Sequence, residues 1–285
     1  MSELTVYAYA KINLTLEILR RLPSGYHEIK SVMQQTELCD DINIRDAPAG
    51  ITIESADANV PFNEHNTVWK VAALLKERFG VNRGVKFRMV KRVPIGGGMG
   101  GGSADAAAAL LGLNQFWQLG LSLDEMLVLG AEIGMDVPFC VLGGTALATG
   151  HGEFVQPLPP LSQFHVVIVN PGIPVSTPKA YESLDMERLT FADKSAQVIA
   201  AIARDDREAV IANLYNDFES VIFDQYPIIG EIKQRLLDAG MSGALLSGSG
   251  ASVFGIAQTE VQARAAVDAL KYDYPFVLTT QTKAP

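Results

Sequence analysis

The chain has 285 residues, 48% of them apolar, and carries 32 Asp and Glu against 23 Lys and Arg, for a net charge of −9. Such a length supports one large or two ordinary domains with real cores, and the acidic balance without a basic stripe makes nucleic acid and anionic membrane poor partners. Cys39 and Cys140 lie far apart and read as buried thiols rather than a disulfide scaffold or zinc site, and the absence of a signal core or membrane-length apolar run points to a cytoplasmic protein.

The first third reads as β-rich. Strand-like stretches run over 4–9, 14–18, 30–38, 41–45 and 50–54, with Pro23-Ser24-Gly25 as a turn. Residues 68–79 predict an amphipathic helix, capped by Asn66 or Thr67 and ended by Gly80. The 84–92 segment alternates apolar with mostly basic residues, as a half-exposed antiparallel strand does. A glycine loop follows, then an alanine-rich helix for which Ser103 is the expected N-cap, and a second helix over 123–133. Strands over 145–149 and near Phe154 close this half. Pro157-Leu158-Pro159-Pro160 breaks the pattern and marks the expected boundary between domains 1–157 and 158–285.

The second half restarts with a strand over 164–170. Helices are expected over 177–184, 194–212 and 227–239, then a strand and turn over 245–250, a strand over 253–256, a helix over 260–271 and a last strand over 276–280. Strands mix with helices without strict βαβ repetition, so the fold class is α+β.

The glycine loop carries the chemistry. It reads Pro94-Ile95-Gly96-Gly97-Gly98-Met99-Gly100-Gly101-Gly102-Ser103-Ala104, six glycines in seven positions. Backbone without Cβ atoms can turn its amides onto a ligand, and a helix N-terminus behind them favours an anion, most often phosphate. A linker would lead into polar sequence, whereas apolar pattern stands on both sides here. The P-loop reading fails because no lysine separates Gly102 from Ser103. Gly96, Gly98 and Gly101 match G-x-G-x-x-G, but a run this rich matches by accident, and helix rather than strand follows. A lipase-type oxyanion loop would need a G-x-S-x-G elbow, which the chain lacks.

Other residues are weaker signals alone. Lys11 and Asn13 share one face of a strand-like stretch, which by itself reads as an ordinary solvated face. Asp136 precedes Val137-Pro138-Phe139, which cannot continue the helix before it; it sits at a turn or a new helix start, and a plain cap or Asx-turn accounts for it. Tyr26-His27 could stack on and hydrogen-bond a ring. His65, His151 and His165 have no metal-ligand spacing. Ser247-Gly248-Ser249-Gly250 either lets a backbone approach the glycine loop or is merely a tight turn.

Taken in order, these segments resemble the GHMP kinases. That family carries an N-terminal lysine strand, matched by Ala10-Lys11-Ile12-Asn13-Leu14, a Pro-x-Gly-rich loop ending in Ser, matched by Pro94–Ser103 with Met99 in the leucine place, and a late glycine-rich turn, matched by Ser247–Ser252. Gly25-Tyr26-His27-Glu28-Ile29, Pro171-Gly172 and Thr177-Pro178-x-x-Tyr181 resemble the branch acting on a cytidine-diphosphate-linked methylerythritol, on the route to isoprenoid precursors. Ala104-Asp105 departs from the commoner Ser-Asn or Ser-Asp, and Tyr181 stands where phenylalanine is also met.

The resemblance implies a two-domain fold, with an N-terminal domain like domain 2 of ribosomal protein S5 and a ferredoxin-like C-terminal domain. It also implies an ATP-dependent small-molecule kinase with Mg2+. Pro94–Ala104 and Asn66 would bind ATP. Asp136 would accept the hydroxyl proton, with Lys11 keeping it ionised. Asn13, His27 and Thr177 would bind substrate, and Tyr26 and Tyr181 would sandwich its cytosine. Ser103 is the candidate metal ligand. Two other readings stand beside this one: another small-alcohol kinase of the family, such as a homoserine or mevalonate kinase, or a non-catalytic nucleotide sensor, against which the retention of Lys11 and Asp136 argues.

Overall fold

A computed structural model describes residues 3–23, 25–186, 189 and 192–284. Ser24 of the expected early turn lies outside the described residues. In chain order the elements are β1 (Glu3–Asn13), β2 (Thr15–Arg21), β3 (His27–Ala47), β4 (Ile51–Ser55), α1 (Thr67–Phe79), β5 (Gly84–Val90), α2 (Gly101–Trp117), α3 (Leu123–Ile133), α4 (Val137–Leu142), β6 (Thr145–Gly150) and β7 (Phe154–Pro157). The remainder is β8 (His165–Asn170), α5 (Thr177–Glu182), α6 (Lys194–Ala203), α7 (Arg207–Ala212), β9 (Tyr215–Asn216), α8 (Glu219–Gln225), α9 (Pro227–Asp238), β10 (Gly243–Leu246), β11 (Val253–Ala257), α10 (Glu260–Leu270) and β12 (Phe276–Gln281).

Two compact units share the chain without being contiguous in it. The first gathers Met1–Ala10, Leu38–Ile95 and Gly100–Leu142; the second gathers Lys11–Glu37, Gly96–Met99 and Gly143–Pro285.

In the first unit, β5 runs parallel to β4 and antiparallel to the second half of β3, with Asp41 opposite Val90 and Ala47 opposite Gly84. Alternation along β3 and β5 buries Ile42, Ile44, Val85 and Phe87. Helix α2 is buried on almost every side, which its alanines permit: Ala104 and Ala106–Ala109 keep its neighbours close. A Cβ on Gly112 would stand 2.5 Å from Ile44 Cδ1, so this glycine lets the helix approach the strand. Asn66 accepts a bond from the Val68 amide and caps α1, and left-handed Gly80 ends it.

In the second unit, the first half of β3 pairs antiparallel with β2 and with β6, β6 pairs with β7, and β2 runs parallel to β9. A separate antiparallel sheet has the order β10-β11-β8-β12. Its core joins Val167, Val169, Leu246 and Val253 of the strands to Ile229, Ile232 and Leu236 of α9 and Ala263, Ala266 and Leu270 of α10.

Several expectations need correction. The strands expected over 30–38 and 41–45 are one 21-residue strand, because the charge at Asp40 is met inside the first unit by the amides of Arg92 and Val93 and by Lys91. Ser103 is not the N-cap of α2; Gly100, with φ of 68°, takes that place and Ser103 falls in the first turn. The helix expected over 194–212 is two helices, broken where Asp205 turns left-handed (φ 53°) and Asp206 caps α7. Cys39 is half-buried rather than buried; Cys140 is buried. Helix α8 and the short β9 were not foreseen, and α4 takes up the new helix start that was one of the two readings of Asp136.

Candidate active site

In the second unit the glycine loop rests on the late turn. Ser247 Oγ donates to the Gly98 carbonyl at 3.0 Å, and the Ser252 amide donates to the Gly97 carbonyl at 3.1 Å. The approach is close because side chains are missing. A Cβ on Gly98, whose φ is 74°, would stand 2.0 Å from the Ser247 carbonyl oxygen, and one on Gly248 would stand 2.8 Å from that of Gly98. Met99 is buried and anchors the loop, its carbonyl accepting from the Lys11 amide at 3.0 Å. Ile95, by contrast, is exposed, and Gly96 has open space around it.

Lys11 and Asn13 are not on a solvated face; they are 4% and 1% exposed. Lys11 Nζ donates to Asn13 Oδ1 at 2.7 Å, and the Gly248 amide donates to the same oxygen at 3.1 Å. Asn13 Nδ2 donates to Ser31 Oγ, which in turn donates to the Thr15 carbonyl. Asn13 therefore orients the Lys11 ammonium and ties it to the late turn. That ammonium lies 3.4 Å from where a Gly248 Cβ would be, so a bulkier residue there would press on it. Asn216, which no motif marked, holds the turn from beneath through bonds from Nδ2 to the Leu246 and Gly248 carbonyls, both 2.8 Å.

An aromatic group also lies in the second unit. His27 stacks on Tyr181 with centroids 5.1 Å apart and planes 19° apart, and Tyr181 meets Phe218 edge-on at 4.8 Å. Burial, with Arg21 adding to it, holds His27 below the usual histidine range, so its ring is neutral at neutral pH. Tyr26 is 63% exposed and packs against His151, 5.2 Å away, whose Nδ1 faces Glu153 Oε1 at 3.2 Å. Thr177 Oγ1 and Ser249 Oγ share a 2.8 Å bond that ties α5 to the late turn.

In the first unit no side chain caps α2, so the amides of Gly101, Gly102 and Ser103, which have no acceptor within the helix, remain for an anion. The Thr67 hydroxyl steadies this turn from α1, donating to the Gly102 carbonyl at 2.7 Å. Ala104 is buried and its amide bonds to the Gly100 carbonyl. Ser103 Oγ lies 3.9 Å from where a Gly134 Cβ would be, which brings the turn holding Asp136 against the first turn of α2. Half-buried Asp136 opens α4, its carbonyl accepting the Cys140 amide at 3.1 Å. Asn66 is committed to its cap and to the Pro61 carbonyl, and its Nδ2 stands 3.8 Å from Met89 Sδ. Met89 also lines an open cavity of about 400 Å³ with Glu54, Asp57, Arg88 and Lys91.

Beneath α2 lies a charge cluster that the sequence did not reveal. Lys91 Nζ bonds both Asp40 and Asp105, with the three side chains 6%, 0% and 6% exposed. Burial pushes the Asp105 carboxyl up to about 7; Lys91 pulls against that and the Asp40 carboxyl adds to it. Burial alone would lower the Lys91 ammonium, but the two carboxylates hold it above the usual lysine range.

Within the first unit, the uncapped end of α2 and the adjacent turn of Asp136 set free amides near a carboxylate, an arrangement suited to an anion. The chain belongs to the GHMP kinase family and is an ATP-dependent small-molecule kinase: residues 66–144 match the GHMP kinases N terminal domain and residues 198–275 the GHMP kinases C terminal domain. Among its relatives is a 4-diphosphocytidyl-2-C-methyl-D-erythritol kinase of Shouchella clausii, 44% identical over 258 residues that span 90% of this chain and 86% of the relative. A kinase of the same name from Geobacter metallireducens is 42% identical over 95% of both chains. A crystal structure of 4-(cytidine 5'-diphospho)-2C-methyl-D-erythritol kinase superposes with a TM-score of 0.86 at 31% identity, over 99% of this chain and all of the other. The homoserine kinase of Cytophaga hutchinsonii, 20% identical with a TM-score of 0.79 over 100% of this chain and 95% of that one, shares the fold. Among the described residues no helix is long and apolar enough to cross a membrane.

Proposed function

We propose that the chain moves the γ-phosphoryl group of ATP onto the 2-hydroxyl of 4-diphosphocytidyl-2-C-methyl-D-erythritol, a cytoplasmic step toward isoprenoid precursors. The observation that carries this reading is the 31–44% identity, over nearly the whole chain, to kinases bearing that substrate's name. The exposed Tyr26 and the His27–Tyr181 stack supply flat faces and a neutral ring suited to a pyrimidine.

Phosphoryl transfer asks mainly for positioning and neutralised charge. In this reading residues 1–157 supply ATP binding and catalysis and 158–285 complete the substrate site. The amides of Gly96–Gly102 and of the helix starting near Ser103 hold the phosphates, and adenine lies near Asn66. Asp136 takes the proton from the attacking hydroxyl, and Lys11, held in place by Asn13, steadies the charge that develops on the transferring group. Tyr26 and Tyr181 hold the cytosine, with Asn13, His27 and Thr177 about the rest of the substrate.

Among the described residues no three of His, Cys, Asp or Glu gather to bind a metal. Magnesium in such reactions takes one or two protein oxygens and fills its shell with phosphate and water, and the Ser103 hydroxyl is a donor of that kind. When bound, the ion would neutralise charge on the β- and γ-phosphates.

The test is ATP consumption by the purified protein with the cytidine-diphosphate alcohol, mevalonate and homoserine in parallel. Turnover with the first alone is expected. Preference for either of the others would replace the substrate assignment, and nucleotide binding without turnover on any alcohol would favour the sensor reading.

A further inference from the structure

The Asp40–Lys91–Asp105 cluster has no part in the mechanism above, yet it is joined to the phosphate-binding turn by a closed ring of contacts. Asp40 Oδ1 accepts the Arg92 amide and, at 2.8 Å, the Val93 amide, which fixes the chain as it leaves β5. The Val93 side chain then bears on α2: a Cβ on Gly101 would stand 3.1 Å from Val93 Cγ1 and 3.9 Å from Lys91 Nζ. Gly101 is the first residue of α2, and Asp105 lies one turn further along the same helix. Lys91 closes the ring by bridging Asp105 back to Asp40.

Burying an ammonium between two carboxyl groups is costly unless each polar atom finds a partner, and here the account is incomplete. Asp105 Oδ1 is buried with no hydrogen-bond partner. A hydrophobic residue would be the cheaper occupant of such a place for stability alone. What an apolar side chain could not do is tie the second turn of α2 to a fixed point on β3 through Lys91.

We propose that Asp105, acting through Lys91 and Asp40, is a positioning residue for ATP, setting where the Gly101–Ser103 amides stand relative to the end of β5. The proposal rests on the reading that those amides hold the phosphates. Asparagine at 105 keeps the shape, accepts from Lys91 and can donate to Asp40. Leucine keeps the volume and breaks the tie.

The experiment measures AMP-PNP affinity, steady-state kinetics and thermal melting for the wild type, Asp105→Asn and Asp105→Leu. In Asp105→Leu the Kd for AMP-PNP and the KM for ATP are expected to rise about tenfold or more, as small displacements of binding groups cost in other sites, while kcat and the KM for the alcohol change little. Asp105→Asn is expected to stay within about twofold of the wild type in all of them. A lower Tm in Asp105→Leu with unchanged nucleotide affinity would make the cluster merely structural and overturn the proposal, as would Asp105→Asn losing affinity as badly as Asp105→Leu. If Asp105→Leu does not fold, Asp105→Ser, which also cannot reach Lys91, is read by the same criteria. Failure of the wild type itself to bind AMP-PNP would instead sink the phosphate reading on which the proposal rests.

Discussion

Asp136 stands where α3 ends and α4 begins, half-buried, with the first turn of α2 against its own turn. Asp136→Asn preserves that shape and removes the proton acceptor. Its kcat should fall by about 10²–10⁴-fold with AMP-PNP affinity nearly unchanged, which steady-state kinetics and calorimetry check together. Asp105 gives a different test. Burial raises its carboxyl from 3.8 to about 7, so between those values the folded chain binds more protons than the unfolded one. Stability then declines as pH climbs through that window and the loss is complete above it. Asparagine at 105 does not titrate, so the Tm of Asp105→Asn relative to the wild type should rise from pH 4 to pH 7 and level off beyond. The glycine loop was legible by itself as backbone able to hold an anion, whereas Lys11 and Asp136 were weak signals alone and took their expected roles from the order of motifs. Asp40, Lys91 and Asn216 were not, because their roles depend on partners 14 to 51 residues away, or on two carbonyls of a distant turn.

Among elements, the loop from Gly96 to Met99 separates two kinds of glycine. Gly96 and Gly98 both have positive φ, 68° and 74°, but a side chain at 96 meets open space, whereas one at 98 meets the Ser247 backbone. Gly96→Ala should cost about 1–2 kcal/mol from conformation alone. Gly98→Ala should cost more than that, beyond the roughly 1–3 kcal/mol of a strained residue, because backbone must also move. Urea melts of the two variants, side by side, check the ordering. Elements with local punctuation were read well: α1 between Asn66 and Gly80, and α3 behind the Ser122–Glu125 capping box. Those set by tertiary context were not. β3 runs through Asp40 only because distant amides meet its charge, and α2 begins three residues early because a left-handed glycine can do what a capping serine was expected to do.

For the whole molecule, nucleotide binding should report on folding. A ligand held by the native state and not by the unfolded chain stabilises by mass action, about 2.7 kcal/mol at a hundred times its Kd. AMP-PNP at that excess should shift the urea midpoint of the wild type accordingly. The α+β class could be read from strands mixed with helices without βαβ repetition, and the two-domain family fold from the order of motifs, because order survives in a sequence. The composition of the compact units could not, since Lys11–Glu37 and Gly96–Met99 belong with residues from 143 onward.

That interleaving has a consequence for how such a gene can change. The chain passes from one unit to the other at 10/11, 37/38, 95/96, 99/100 and 142/143. A crossover between diverged homologues at any single point therefore mixes parental halves within at least one unit, and a join after residue 157 pairs β2 of one parent with β9 of the other. Viable hybrids should come from exchanges that keep co-packed segments together, and inheritance of this enzyme should favour gradual drift over modular shuffling.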